Sequence, residues 1–126
     1  MTALATDARQ EIAAAVALAV PDVPVVAMLP PTVTPPLIAL RPRSPYMTPT
    51  SLGSQLRYRL ELSLVLMVPA TDLVAGIARL EQLAEAIYPA LAHLQVGELT
   101  APRVEDLGAQ GSAVLAELDL TALIER

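Results

Sequence analysis

The clearest pattern in the chain is the alternation of apolar and polar residues over positions 57–68. One set of alternate positions is wholly apolar and comprises Tyr58, Leu60, Leu62, Leu64, Leu66 and Val68. The other set begins with Arg57 and Arg59 and becomes apolar at Val65 and Met67. A period of two predicts a β-strand with one face in the core, and the change at Val65 predicts that the far end of the second face is also covered.

Apolar residues at three- and four-residue spacing predict two helices. The first covers residues 4–19 and ends before Pro21, because proline removes a helical donor and disfavours helix in the residue before it. The second begins at Thr71 or Asp72, whose side-chain oxygen can accept from the free amides of the first turn. Pro89 should terminate or kink this helix near its end.

Shorter apolar segments predict the remaining strands at 25–29, 37–41, 96–104 and 112–121, with a bend at Pro102. The resulting order is helix, two strands, long loop, long strand, helix and two strands. This order predicts a single α+β domain over residues 1–126, with a mostly antiparallel sheet of about five strands and two helices packed on one face.

Two arginines and two acidic residues are placed to form charge pairs on the sheet. If strand 112–121 lies beside strand 57–68, Arg57 and Arg59 are expected opposite Glu117 and Asp119. Each cross-strand pair would contribute about 0.2–1 kcal/mol, enough to favour a register but not to hold the fold together.

Residues 42–55 show neither helical nor strand periodicity and are rich in proline, serine and threonine. Loops of this length are uncommon in a compact domain and are usually either functional or disordered. Two interpretations stay open: the loop folds back over its own domain, or it is an arm that packs on a neighbouring subunit. In the second case the contact residues would be Pro45, Tyr46, Met47, Pro49 and Leu52.

The composition favours association with other subunits. The chain has 126 residues, 54% of them hydrophobic and only 17% charged, with no Phe or Trp. A domain of this size cannot easily cover so much apolar surface, and exposed apolar patches usually mark contact sites. We therefore expect a homo-oligomer. The longest apolar run, at residues 12–20, is shorter than the roughly 20 residues of a spanning helix, so no membrane association is expected.

The residues needed for catalysis or for metal and nucleic-acid binding are scarce. His93 is the only histidine, cysteine is absent, and all eight basic residues are arginine against 13 acidic ones. Zinc and hydrolytic sites need partners that the sequence does not supply, and the net charge of -5 lacks the basic footprint of a nucleic-acid binder. We expect no enzyme activity and no cofactor or metal; we assign His93 a structural or solvent role and place Glu81 and Glu85 on a solvated face of the second helix.

In the order of its segments, the chain resembles the tail terminator proteins of long-tailed bacteriophages, particularly the short versions from phages of actinobacteria. The similar stretches are the Ala-rich first helix with residues 34–40, Pro45-Tyr46 with Pro49-Thr50 and Gly53 leading into 57–62, the helix opened by Thr71-Asp72, and residues 101–104 with the glycine-containing turn and final strand. The likeness covers nearly the whole chain, but none of these stretches is a diagnostic motif.

The resemblance implies a structural virion protein. Such proteins form a ring, usually of six subunits, at the head-proximal end of the tail, after assembly in the host cytoplasm. The ring docks on the tail tube protein, stops tube polymerisation and offers a joining surface to the head–tail connector proteins. DNA would pass through its lumen without specific binding. Residues 42–55 are the candidate contact with a neighbouring subunit or the tube.

Two other functions remain open from the sequence. One is another head–tail connector or tail completion protein of the same virion. The other, from a different class, is a small ligand-binding or regulatory α+β domain. A terminator should assemble into a ring of about 80 kDa, six copies of the 13.3 kDa chain, whereas a regulatory domain should be a monomer or dimer that a small molecule stabilises.

Overall fold

The computed structural model describes residues 3–50 and 57–125. Its elements in chain order are α1 (Leu4–Ala19), β1 (Val25–Val26), β2 (Leu37–Pro49), β3 (Arg57–Pro69), α2 (Leu73–Ala90), β4 (Gln95–Leu99), β5 (Arg103–Asp106) and β6 (Ser112–Glu125). The described strands form one sheet of six, in which only β1 and β2 pair in parallel. The predicted α+β class with a mostly antiparallel sheet is confirmed.

The two helices begin and end close to the predicted positions. The first spans Leu4–Ala19, as its periodicity predicts. The second is capped by Asp72, whose carboxylate accepts from the backbone N–H of Ala75 at 3.2 Å. Pro89 lies in the last turn, one residue before the helix ends at Ala90, where its missing N–H removes only one helical hydrogen bond.

Near the end of the chain, the structure has two strands where the sequence predicts one. The predicted strand at 96–104 is two short strands, β4 and β5, which pair one after the other with β6. Pro102 lies in the break between them, where no ladder donor is needed. Thr100 bridges the break, because its N–H donates to Glu117 O at 2.9 Å and its Oγ1 accepts from Glu117 N–H at 2.9 Å.

The strand order β1-β2-β3-β6-β4 places the two longest apolar strands at the centre of the sheet, with β5 also on the outer side of β6. β3 pairs with β6 from Arg57 opposite Glu125 to Pro69 opposite Ala113. The helix-facing residues of β3 are the even-numbered ones, from Leu60 to Val68, and all of them are buried. The apolar residues at alternate positions, from which the strand is predicted, are therefore the ones that face the helices and are buried.

The main core lies between this sheet face and the two helices. Ile12 and Val16 from α1 and Leu80, Leu83 and Ile87 from α2 belong to the same buried cluster as the even-numbered sheet residues. Both helices therefore pack on one face, as predicted. Because the chain has no Phe or Trp, this core is filled almost entirely by Leu, Ile, Val and Ala side chains.

A second, smaller core covers part of the opposite sheet face. Its members are Leu37, Ala39, Val65, Met67, Ala113 and Leu115, with Val26, Leu29, Val33 and Leu107 packed against them. The covering residues come mainly from the segment between β1 and β2 and from the turn after β5. The predicted cover over Val65 and Met67 is confirmed.

The predicted loop at 42–55 is wrong for its first half, because β2 continues through Pro49. Pro42 lies opposite Leu62 and Met47 opposite Leu60, so the residues between them form a bulge. Within the described part of the chain this stretch of β2 is an edge, since β1 pairs only with Ile38 and Ala39, and a proline at an edge leaves no ladder bond unmade. The bulge and the prolines conceal the strand period. Residues 51–56 lie outside the described part of the chain.

The packing of α2 on the sheet depends on Gly76. A Cβ added there would lie 3.0 Å from Val114 Cγ2 and 3.5 Å from Val68 Cγ2, so a larger side chain would push the helix away from β6 and β3. We expect Gly76→Val to destabilise the protein by about 1–3 kcal/mol in urea unfolding.

The control for this variant is Ala75→Val, which introduces the same side chain at the adjacent, exposed position of α2. It should change stability by no more than about 0.5 kcal/mol. Adding Val114→Ala to Gly76→Val should recover part of the loss. Equal effects of the two valine variants would show that helix propensity, not the close contact with Val114, sets the cost.

Candidate functional site

The sheet face turned away from the helices carries a network of ion pairs. Arg43 projects from the β2 bulge, and its Nε donates to Leu62 O at 3.0 Å. Its guanidinium also pairs with Glu61 and lies 3.6 Å from Asp119. Thr121 Oγ1 donates to Glu61 Oε2 at 3.1 Å, so this cluster connects β2, β3 and β6.

Glu117 forms the second centre of the network. Its carboxylate pairs with Arg41 of β2 and, at 3.4 Å, with Arg103 of β5. Arg103 Nε is also 3.1 Å from Glu105 Oε1. The Glu117 side chain is only 13% exposed, so its ion pairs are less screened by solvent than those at the rim of the sheet.

The charge pairs predicted between β3 and β6 are not those that form. The two strands are neighbours as expected, but Ser63 lies opposite Asp119 and Val65 opposite Glu117. The predicted final strand ends at 121, whereas β6 continues to Glu125, and the true register follows from this longer pairing.

Arg57 and Arg59 therefore form ion pairs with other carboxylates. Arg57 Nε lies 2.9 Å from Glu125 Oε1 across the ladder. Arg59 Nε lies 3.4 Å from Glu61 Oε1 on its own strand. Both arginines are on the predicted face, and the error is confined to the residues opposite them.

The predicted contact residues of the proline-rich segment divide into two groups. Pro45, Met47 and Pro49 are exposed on β2. Tyr46 is half-buried against the main core, and its hydroxyl accepts a hydrogen bond from Arg9 of α1. Tyr46 therefore holds the bulge to its own domain. Leu52 lies outside the described residues.

Large apolar side chains are exposed at both ends of the long strand β3. At its carboxyl end, Leu73 and Val74 open α2 and are 51% and 79% exposed; we name them the α2 patch. At its amino end, Leu123 is 63% exposed on the face opposite the helices, and we name this position the distal patch; Met47, 40% exposed, lies opposite Leu60 and therefore points to the helix side. A strand running from Arg57 to Pro69 extends about 40 Å, so these two patches are well separated.

Sequence reasoning missed the α2 patch and Leu123 for a physical reason. Leu73 shares the three- and four-residue spacing of the buried residues of α2, and nothing in a one-dimensional pattern shows that this apolar face begins beyond the edge of the core. Leu123 follows the predicted end of the last strand. Only the observed length of β6 places it on the face opposite the helices.

His93 and the carboxylates are the remaining candidates for chemistry. His93 is exposed and borders a shallow depression of about 380 Å³ with Leu94, Gln95, Thr121 and Leu123. Within residues 3–50 and 57–125, no group of three His, Asp or Glu side chains is arranged to hold a metal ion. In the same ranges, no helix is long and apolar enough to cross a bilayer.

No protein-family model matches the chain, and no curated protein matches it either. The features that bear on function are therefore the surfaces of the chain: the ion-pair network on the sheet, the α2 patch and the distal patch.

The ion pairs of Glu117 should contribute measurably to stability. Glu117→Gln keeps the size of the side chain but removes its charge, and we expect a loss of about 1 kcal/mol in urea unfolding at low salt. The loss should shrink as salt is added, since salt screens the charges.

Glu98→Gln is the matched control, because Glu98 is an exposed carboxylate on the neighbouring strand β4. It should stay within about 0.5 kcal/mol of the parent protein at any salt concentration. If the two variants lose the same amount, the network at Glu117 adds nothing to the stability of the sheet.

Proposed function

We propose that this protein is a bacteriophage tail terminator subunit. Copies of the chain form a ring that docks on the end of the tail tube, stops its polymerisation and presents a joining surface to the head–tail connector proteins. The function requires no reaction and no cofactor, and it depends on the shape and chemistry of surfaces.

The observation that carries this proposal is the exposure of large apolar side chains at opposite ends of one sheet, Leu73 and Val74 at one end and Leu123 at the other. A ring is built by a head-to-tail contact, in which one surface of each subunit binds a different surface of the next. The α2 patch and the distal patch have the separation that such a contact needs. Their exposed apolar side chains would be covered in the assembly.

The identification as a tail terminator comes from the resemblance of the chain to that protein family. The similar stretches fall in sequence on α1 with the start of β2, on the β2 bulge with β3, on α2, and on β5 with β6. They therefore follow the order of the elements through almost the entire sheet and both helices.

The distribution of charge supports a ring through which DNA passes. Asp7, Glu11, Glu81 and Glu85 are exposed on the two helices, against Arg9 and Arg79 on the same elements. On the opposite sheet face the arginines are paired with carboxylates. Neither surface is a basic patch that would hold the phosphate backbone.

The assembly state of the purified protein tests the proposal. We expect light scattering to detect a ring of about 80 kDa, six copies of the 13.3 kDa chain, either alone or after tail tubes are added. A monomer whose melting temperature rises with a small molecule would contradict the terminator function and favour a regulatory domain.

The contribution of the α2 patch can be tested separately. Replacing both of its residues, Leu73→Glu and Val74→Glu, should abolish the ring, since two charges would be buried in the subunit contact, while the melting temperature stays near that of the parent. Gln82→Glu adds a charge on an exposed position of the same helix and should leave the ring intact. A ring formed equally well by the doubly substituted protein would exclude this patch from the contact.

Disruption of the gene in its phage tests the biological role. We expect electron microscopy to show tails of irregular length that are not joined to heads. Tails of uniform length correctly joined to heads would refute the proposal. Tails of uniform length that lack heads would instead indicate a connector or completion protein.

A further inference from the structure

Strand β5 is an open edge of the sheet. Among the described residues it pairs only with β6, and Val104 at its centre is 57% exposed. Unpaired edges attract further strands, and proteins usually block them. What this edge can bind depends on the direction of its backbone groups and on its side chains.

The hydrogen bonds of β6 fix the direction of the β5 backbone. Ser112 O accepts from Ala70 N–H, on the β3 side, at 3.1 Å, whereas Glu117 O accepts from Thr100 N–H, on the opposite side, at 2.9 Å. Even-numbered residues of β6 therefore bond towards β3. Val104 lies opposite Val114, so the N–H and C=O of Val104 point away from β6, and those of Asp106 do likewise.

At the other edge of the sheet, the exposed part of β2 has prolines in place of several donors. Beyond the two residues that pair with β1, the edge of β2 carries Pro42, Pro45 and Pro49, which have no N–H to donate. Strand β5 contains no proline, and its outward-pointing donors at Val104 and Asp106 are retained. The exposed part of β2 and the β5 edge therefore differ, because β5 keeps outward donors with which an added strand can form regular hydrogen bonds.

The side chains of β5 are complementary to a second copy of themselves. Arg103 and Glu105 flank Val104 on the same face of the strand. If two β5 strands pair antiparallel about Val104, each Arg103 lies opposite the Glu105 of the other copy. The two exposed valines then lie side by side, and both outward hydrogen bonds of Val104 are satisfied.

We propose that β5 binds the β5 strand of a second copy of this chain, so that the two sheets join into one across a two-fold axis. The contact is symmetric and closes after two copies. It therefore differs from the head-to-tail contact of the ring, and it does not rest on the proposed function.

The ion pairs within one subunit are compatible with this contact. Arg103 already lies 3.1 Å from Glu105 and 3.4 Å from Glu117. In the pair, the second copy's Glu105 approaches Arg103 from the open side of the strand. Each guanidinium can serve several carboxylates, because it presents five N–H donors.

Charge reversal gives a sharp test by analytical ultracentrifugation. The parent protein should show a monomer–dimer equilibrium over a range of concentration around about 10 µM. Arg103→Glu and Glu105→Arg each place like charges opposite one another, and each should weaken pairing by at least about tenfold. A mixture of the two variants should pair again, because every Glu then faces an Arg.

The double variant Arg103→Glu, Glu105→Arg also restores opposite charges and should pair like the parent. Glu98→Arg is the control, because it makes the same change as Glu105→Arg at an exposed position of β4, outside the contact, and it should not affect pairing.

Val104→Pro removes the outward N–H without breaking the β5–β6 ladder, so it should abolish pairing at an unchanged melting temperature.

Three results would overturn the proposal: a parent protein that stays monomeric throughout, single variants that pair as the parent does, or a mixture that remains monomeric. A parent protein found only as a six-copy ring that none of these substitutions disturbs would also overturn it, while supporting the ring. Restored pairing in the mixture without any ring on tail tubes would support the edge contact and count against the terminator function.

Discussion

The pairing of β3 with its two neighbours is the constraint on which the rest of the structure depends. β3 runs antiparallel to β6 along its whole length and to β2 on the other side, so its side chains set both faces of the sheet. Its even-numbered leucines require a covering layer, and both helices supply it. A shift of this strand by one residue would turn those leucines to solvent and the arginines into the core, which the cost of burying unpaired charge forbids.

The prolines divide the two edges of the sheet into different kinds of surface. On β2 they remove donors along an edge that would otherwise be open, and the bulge there allows Tyr46 to reach α1 while Arg43 crosses the opposite face. At Pro102 a proline only separates β4 from β5, and the donors of β5 remain. The same residue type thus closes one edge and leaves the other available for association.

The surfaces combine balanced charge with isolated apolar ends. Arginines and carboxylates neutralise each other across the exposed sheet face, while acidic residues predominate on the helices. Apolar side chains are exposed where the sheet and α2 extend past the core, at the α2 patch and the distal patch. A small domain without large aromatic residues has few means of covering these ends itself, and subunit contacts would cover them.

The sequence by itself determined the elements whose periods are regular: α1, α2 with a cap at Thr71 or Asp72, the central strand β3, and the packing of both helices on one face. These follow from local rules, in which burial repeats every two residues or every three to four. Tertiary structure alone decided the extension of β2 through its prolines, the length of β6, and therefore which carboxylates meet Arg57 and Arg59. Those features depend on strands far apart in the chain, where a bulge or a few extra residues changes every partner without changing the local pattern.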